Sequence, residues 1–249
     1  MRVTAIKTHK ITPNDDLFAV LDKYVTDIPE KSVVAVASKI VAITERRVVK
    51  IVSRGKKDNL AKQEANYYLP REYNQYGFMI TIKRGIIVAS AGIDESNGNG
   101  YYVLWPKDPQ RSANSIRFHL KRRWNLNNIG VIITDSKLSP LRWGVTGVAV
   151  AHSGFAALNS YIGKPDIFGR KLQAEKTNMA DSLATAAVTV MGEGNEQQPL
   201  VIIEDLPFVR FQKRNPTEKE LDGLKIAIED DVYASLLKSV SWQKGKGGK

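Results

Sequence analysis

The 249 residues are 43% hydrophobic and 25% charged, a globular composition that excludes disorder as the main state. Cysteine is absent, which removes disulfides, zinc ribbons, iron–sulfur clusters and thiol catalysis and leaves Asp, Glu, His, Ser, Thr, Lys and Arg for site chemistry. Against 26 acidic residues stand 37 basic ones, a net charge of +11 that points to an anionic partner without naming it.

A strand is expected over 3–8, then a helix in which Leu17, Leu21 and Tyr24 recur at helical spacing behind the start signal Asn14-Asp15-Asp16. A strand follows at 33–37 and a helix at 58–68. Residues 80–89, rich in Ile and Val, read as strand broken at Gly85, and the polar, glycine-rich stretch 91–100 reads as a surface loop. Ser112 is placed to cap a helix whose Ile116, Leu120 and Trp124 lie four apart, and 129–134 reads as an apolar strand that stops at Asp135. Another strand is expected at 146–150. Met179, Leu183, Ala186 and Val190 mark an amphipathic helix started by Thr177 or Asn178, and 200–203 is a short strand. A capping box from Thr217 to Glu220 predicts a last helix that buries Leu221, Leu224, Ile228, Val232 and Leu236 or Leu237.

This order lacks the regular alternation of a doubly wound sheet, so the class expected is α+β, with mixed sheets and flanking helices. The main region is placed at 1–212, with an inserted subdomain at about 58–168, a C-terminal helix at 213–240 and a basic tail at 241–249. The tail reads as a solvated end, because Gly-Lys-Gly-Gly-Lys supplies nothing for a core. No run approaches the roughly 20 apolar residues of a membrane-spanning helix. The opening MRVTAIKTHK lacks the apolar run of a secretion signal, so a cytoplasmic protein with no membrane partner is expected.

Two carboxylates stand where chemistry is usually done. Asp94 lies in the glycine-rich loop after one strand and Asp135 at the end of another, each followed by hydroxyl or amide groups, Ser96 and Asn97 or Ser136. Such hard oxygen donors suit Mg2+ or Mn2+, with substrate phosphates completing the coordination. The alternative is that each aspartate is a turn former that bonds its own backbone. His9, His119 and His152 lie far apart without zinc-ligand spacing; His119 reads as a surface residue and His152 as one held near the core. No Gly-x-Ser-x-Gly is present, no Rossmann fingerprint follows a strand, and Ser53-Arg54-Gly55-Lys56-Lys57 lacks the upstream glycine and the following Ser/Thr of a P-loop. A nucleotide would therefore need another cradle, for which Ser38-Lys39 is suitably placed at a strand end. The basic groups Arg46-Arg47, Arg54 with Lys56-Lys57, Lys121-Arg122-Arg123 and the tail are scattered, and no RNP, helix-turn-helix or zinc-finger pattern accompanies them. Nucleic acid is not the expected partner.

In their order along the chain, Ala37-Ser38-Lys39-Ile40-Val41, Ser90-Ala91-Gly92-Ile93-Asp94-Glu95-Ser96-Asn97, Trp105-Pro106-Lys107-Asp108-Pro109, Val131-Ile132-Ile133-Thr134-Asp135-Ser136, Arg142-Trp143-Gly144, Lys164-Pro165-Asp166 and Met191-Gly192-Glu193 resemble segments of one family. It is the coenzyme F-420:L-glutamate ligase family, including its bacterial branch described as folate-metabolism γ-glutamate ligases. The resemblance covers roughly 5–210.

The resemblance implies amide synthesis: a nucleotide, GTP or alternatively ATP, phosphorylates a substrate carboxylate, and the amine of L-glutamate displaces phosphate from the acyl phosphate. It implies Asp94 and Asp135 as ligands of Mg2+ or Mn2+, Ser136 and Glu193 at a second metal, and Asn97, Met191 and Gly192 beside the nucleotide with Ser38 and Lys39. Arg142, with the two aspartates, completes the implied catalytic set. Glu193 stands where deazaflavin ligases are expected to carry glutamine, and Ile43 where the family often has lysine. A homodimer is implied. Glu204-Asp205-Leu206-Pro207-Phe208 looks more like the folate-labelled branch, which makes a pterin or folate acceptor the first choice and the deazaflavin precursor the next. A non-catalytic nucleotide- or RNA-binding protein on the same scaffold is the alternative, though pure binding would not require two hard-metal carboxylates.

Overall fold

Val33, Val34, Ala35 and Val36 are apolar on both sides of an extended chain, as are Val131, Ile132 and Ile133, so both segments need cover on two faces. The computed structural model, which describes residues 1–52 and 55–248, gives them that cover. Ser53 and Arg54 of the Gly-Lys segment, and Lys249 of the tail, lie outside the described residues. In chain order the strands are β1 (Arg2–Ile6), β2 (Ser32–Ala37), β3 (Val48–Lys50), β4 (Tyr67–Leu69), β5 (Ile80–Lys83), β6 (Ile86–Ala89), β7 (Tyr101–Val103), β8 (Ile129–Leu138), β9 (Val145–Ser153), β10 (Leu158–Ser160), β11 (Lys176–Asn178), β12 (Leu200–Glu204) and β13 (Gln243–Lys244). The α-helices are α1 (Leu17–Tyr24), α2 (Ser38–Thr44), α3 (Lys56–Glu64), α4 (Pro109–Arg123), α5 (Met179–Met191), α6 (Glu218–Asp222) and α7 (Ala234–Leu237). The class is α+β, as expected.

The main sheet runs β1-β12-β2-β8-β9, with β2 and β8 parallel and the other pairs antiparallel. Because side chains alternate, Val34, Val36, Val131 and Ile133 face α1, α2 and α4 through Leu21, Val41, Ile116 and Leu120. Val33, Ala35, Ile132, Val201 and Ile203 face α5 through Met179, Leu183 and Ala187. Each Val, Leu, Ile or Met side chain withdrawn from water in this way contributes about 1.5–3 kcal/mol.

A second layer consists of the sheet β13-β4-β5-β6, the β3–β7 ladder and α3, packed around Ala61, Ala65, Met79, Ile93, Tyr102 and Leu104. Of the stretch 58–168, the part from Pro109 to Leu138 belongs to the main layer, where α4 and β8 lie.

Several expectations are corrected. The helix placed at 58–68 ends at Glu64, since Tyr67 and Tyr68 pair with β5 instead. The helix start placed at Ser112 is at Asp108, whose carboxylate accepts from the Arg111 N–H while Pro109 fills the first turn. β8 does not stop at Asp135 but continues to Leu138 against β9, after an irregularity between Ile133 and Thr134. The capping box at Thr217 forms, yet the helix expected over 213–240 is only the single turns α6 and α7. Gly223 weakens helix continuation there, and Val232 and Leu236 remain exposed. The tail is not simply solvated: Gln243 and Lys244 pair with Tyr68 and Tyr67, and the N–H groups of Gly245 and Gly247 donate to Asn66 and Ala65 carbonyls at 2.8 Å.

Candidate active site

β2 passes directly into α2, so Ser38 and Lys39 emerge where the parallel β2–β8 pairing ends at Ala37 and Thr134. Asp135 is the next residue on β8, now paired only with β9. Ligand sites form readily at such carboxyl-terminal strand ends. Around them is a cavity of about 800 Å³, walled by 8–12, α2, the loop 94–99, β8 and the segment 191–199.

Asp94 is delivered by a tight turn in which Ser90, Ala91 and Gly92 all have left-handed φ, +49°, +56° and +71°. Such a run needs support. The Ser90 N–H donates to Met79 O, and the Ala91 N–H to the Thr81 hydroxyl. Gly92 is required for space as well as for its backbone, since a Cβ there would stand 2.2 Å from Nε1 of Trp105. Asp94 then bridges Val103 through both backbone groups. Its carboxylate accepts from the Ser96 N–H and hydroxyl, both at 2.8 Å, and faces the Lys39 ammonium at 2.7 Å. The expected alternative of an Asx-turn is thus real, and it coexists with a place in the cavity. Burial acts to raise this carboxyl, but Lys39 and the Ser96 donors outweigh it and hold it below the usual range.

Asp135 has the opposite balance. Burial pushes it up to about 6, against the Trp105 indole and the Ser136 N–H, which donate to its two oxygens; the Asp94 charge raises it further. Glu193 is also raised, by burial first, with Lys39 and a 3.5 Å bond from the Ser136 hydroxyl opposing. Lys39 therefore acts electrostatically on all three carboxyls.

Asn97, itself left-handed at φ +54°, donates from Nδ2 to Gly194 O at 2.8 Å and ties the 94–99 loop to the 191–199 segment. Gly192 ends α5 at φ +75°, where a Cβ would meet the Glu196 carboxylate at 2.4 Å. Met191 packs beneath, receiving a Thr134 hydroxyl on its sulfur at 3.7 Å.

Of the residues singled out in the sequence, Ser38, Lys39, Asp94, Asn97, Asp135, Ser136, Met191, Gly192 and Glu193 line this one cavity. Arg142 does not. It sits exposed on the β8–β9 turn, its N–H on Ser139 O at 3.4 Å. Thr8, His9, Lys10, Thr12 and Gln197 line the cavity without having been recognised; this segment carries no motif and is brought in by the Thr8 N–H on Gln197 O. His9 bonds Asp15 and Tyr24, His119 bonds Asp22, and His152 is buried against Phe155.

The donors Asp94, Ser96, Asp135, Ser136 and Glu193 are all hard oxygens, the chemistry of a Mg2+ or Mn2+ site. Among the described residues, no group of three or more His, Asp or Glu already stands close enough to enclose an ion. The donor types suit such a cation, and the position beside Asp94 is taken in this structure by the Lys39 ammonium.

A sequence model of the family described as F420-0:Gamma-glutamyl ligase matches residues 5–205. Coenzyme F420:L-glutamate ligase of Methanococcus maripaludis strain C7 is 34% identical over 251 residues, covering 94% of this chain and 97% of the relative. The protein of that name from Archaeoglobus fulgidus is 30% identical, covering 92% and 94%. That from Methanocaldococcus jannaschii reaches 39% over 150 residues, 58% of this chain and 60% of its own length.

Proposed function

Because the chain belongs to the F420-0:gamma-glutamyl ligase family, we propose that its cavity joins the amine of L-glutamate to a carboxylate of a deazaflavin acceptor, using GTP or ATP together with Mg2+ or Mn2+. The observation that supports this reading is that Asp94, Asp135 and Glu193 line one cavity together with Lys39, which pairs with Asp94 at 2.7 Å. The names of the relatives favour the deazaflavin over the pterin or folate acceptor favoured by the sequence segments.

In this reading an oxygen of the acceptor carboxylate attacks the terminal phosphorus, the bond to the nucleoside diphosphate breaks, and an acyl phosphate forms. The free amine of glutamate then attacks the acyl carbon, and inorganic phosphate leaves with the electrons of the C–O bond and takes up the proton that the amide nitrogen gives off. When bound, the divalent cation supplies charge neutralisation on the phosphate oxygens. Asp94 and Asp135 would hold it, with Ser136 and Glu193 offering oxygens to a second one. Lys39, freed from Asp94, would place its ammonium against the transferring phosphoryl group. Ser38, Asn97, Met191 and Gly192 would bound the nucleotide. Arg142 has no part in this assignment.

A homodimer and a cytoplasmic location complete the proposal. Trp143, Ile167 and Phe168 are about nine-tenths exposed, which supports an apolar contact with a second copy. No helix among the described residues is long and apolar enough to cross a membrane.

The test is phosphate release with each nucleotide, cation and L-glutamate, offering the deazaflavin precursor, a folate and dihydropteroate separately and weighing the products. The expected result is a glutamyl mass increment on the deazaflavin, lost in Asp94→Ala and Asp135→Ala. An increment on the folate alone would reassign the acceptor, and nucleotide binding without turnover on any acceptor would favour the non-catalytic module.

A further inference from the structure

Trp105 is 1% exposed, yet it lies in the second layer's edge while its indole N–H reaches Asp135 in the main layer. A buried indole needs a partner for that N–H, and here the partner is one of the carboxylates of the cavity. The other Asp135 oxygen accepts from the Ser136 N–H at 2.9 Å, so each oxygen has a donor that fixes its direction.

The ring is held from several sides. The Lys83 ammonium lies 5.2 Å from its centroid, in cation–π range. Lys83 is itself fixed by Glu64 at 2.9 Å, and Glu64 by Arg47 at 2.8 Å, a chain of buried or half-buried charges that complete one another. Arg47 returns to the same tryptophan, donating from Nε to Trp105 O at 3.3 Å while its own carbonyl accepts from the Leu104 N–H. On another side the indole lies so close to Gly92 that a Cβ there would collide with its Nε1. Lys83 also reaches Ala91 O at 3.4 Å, in the left-handed turn that delivers Asp94.

A three-member ion network is an expensive way to fill space, since its charges must be desolvated. Its position behind one indole suggests what it does. We propose that Trp105 is a positioning residue for Asp135, with the Lys83–Glu64–Arg47 network setting the plane of its ring, so that the second layer aims a carboxylate rooted in the first. The inference rests on Asp135 being a working carboxylate of the ligase reading.

The coupling is measurable in the resting protein. With 15N-indole labelling, the Trp105 N–H should be the slowest of the four indoles to exchange into D2O, and Asp135→Asn should move it more than the other three. Mg2+ should also shift it. An Asp135→Asn spectrum in which none of the four indole signals moves would overturn the proposal.

Function supplies a second readout, because Trp105→Phe keeps an aromatic ring above Lys83 while removing the N–H donor together with part of the buried indole. Its kcat should fall about tenfold or more while the glutamate KM stays within about twofold, the pattern of lost positioning rather than lost binding. Lys83→Met should give a smaller fall that is not additive with Trp105→Phe. Wild-type kcat in Trp105→Phe would refute the role. Absence of turnover in the wild-type chain would count against the ligase reading, and the indole spectra would still decide the coupling.

Discussion

Asp94 and Asp135 are chemically identical and share one cavity, but the fold drives them apart in acidity. Asp94 is held below the usual range by Lys39 and Ser96, whereas Asp135 rises from 3.8 to about 6 because burial outweighs its two donors. A group raised in the folded state contributes stability that is complete below the unfolded value and lost as pH climbs through the folded one, here between 3.8 and about 6. In cation-free buffer, Asp135→Asn should therefore stabilise the protein more at pH 8 than at pH 5, by about 1 kcal/mol. Urea melts of both proteins at the two pH values check this, and an equal difference at both would show that Asp135 stays charged throughout. His152 works in the reverse sense: burial lowers it to about 4, so its contribution is lost as pH falls from 6.5, but it is common to both proteins and cancels in the comparison.

Among the elements, those with a clean period were legible. α1 and the core strands follow their apolar spacing; α5 forms behind Asn178, one of its two expected start residues, but the stripe it buries runs Met179, Leu183, Ala187 and Met191, one residue on from the expected Ala186 and Val190. α2 was not legible, because Ser38-Lys39-Ile40-Val41-Ala42-Ile43-Thr44 is β-branched and reads as more strand; its helix comes from burial of Ile40, Val41 and Ile43 between the main sheet and its neighbours. The two aspartates were legible because loop and strand-end carboxylates stand out in sequence. The 8–12 wall was not, since its role comes only from long-range contact with Gln197. The tail was misread for an instructive reason. Glycines that cannot build a core let backbone approach backbone: a Cβ at Gly245 would lie 2.1 Å from Ala65 O. Gly245 to Gly248 instead donate N–H groups to carbonyls at the end of α3 and just beyond, acting as its C-terminal cap from a distant part of the chain. Truncation after Trp242 should lower stability by about 1–3 kcal/mol, from several such bonds at about 0.5–1.5 each. Hydrogen exchange should quicken around 60–69 and leave β2 and β8 unchanged; unaltered exchange at 60–69 would mean that the docked tail adds nothing.

At the scale of the whole molecule, a chain of net charge +11 contains a cavity lined by carboxylates. A chain of this net charge should favour anionic ligands at long range and Lys39 should do so at short range, and added salt should weaken the first effect before the second. The cavity walls come from five separated stretches of chain, and the sheet beneath them is completed at one edge by β1, which pairs Arg2 with Glu204. Closure over such separations is slow compared with helix formation. The cavity should consequently be among the last features to mature during refolding: stopped-flow dichroism should recover early, and fluorescent-nucleotide binding in a later phase. Simultaneous recovery of both signals would mean that the five walls assemble in one step, while a lag would make ligand binding a clock for the final closure of the chain.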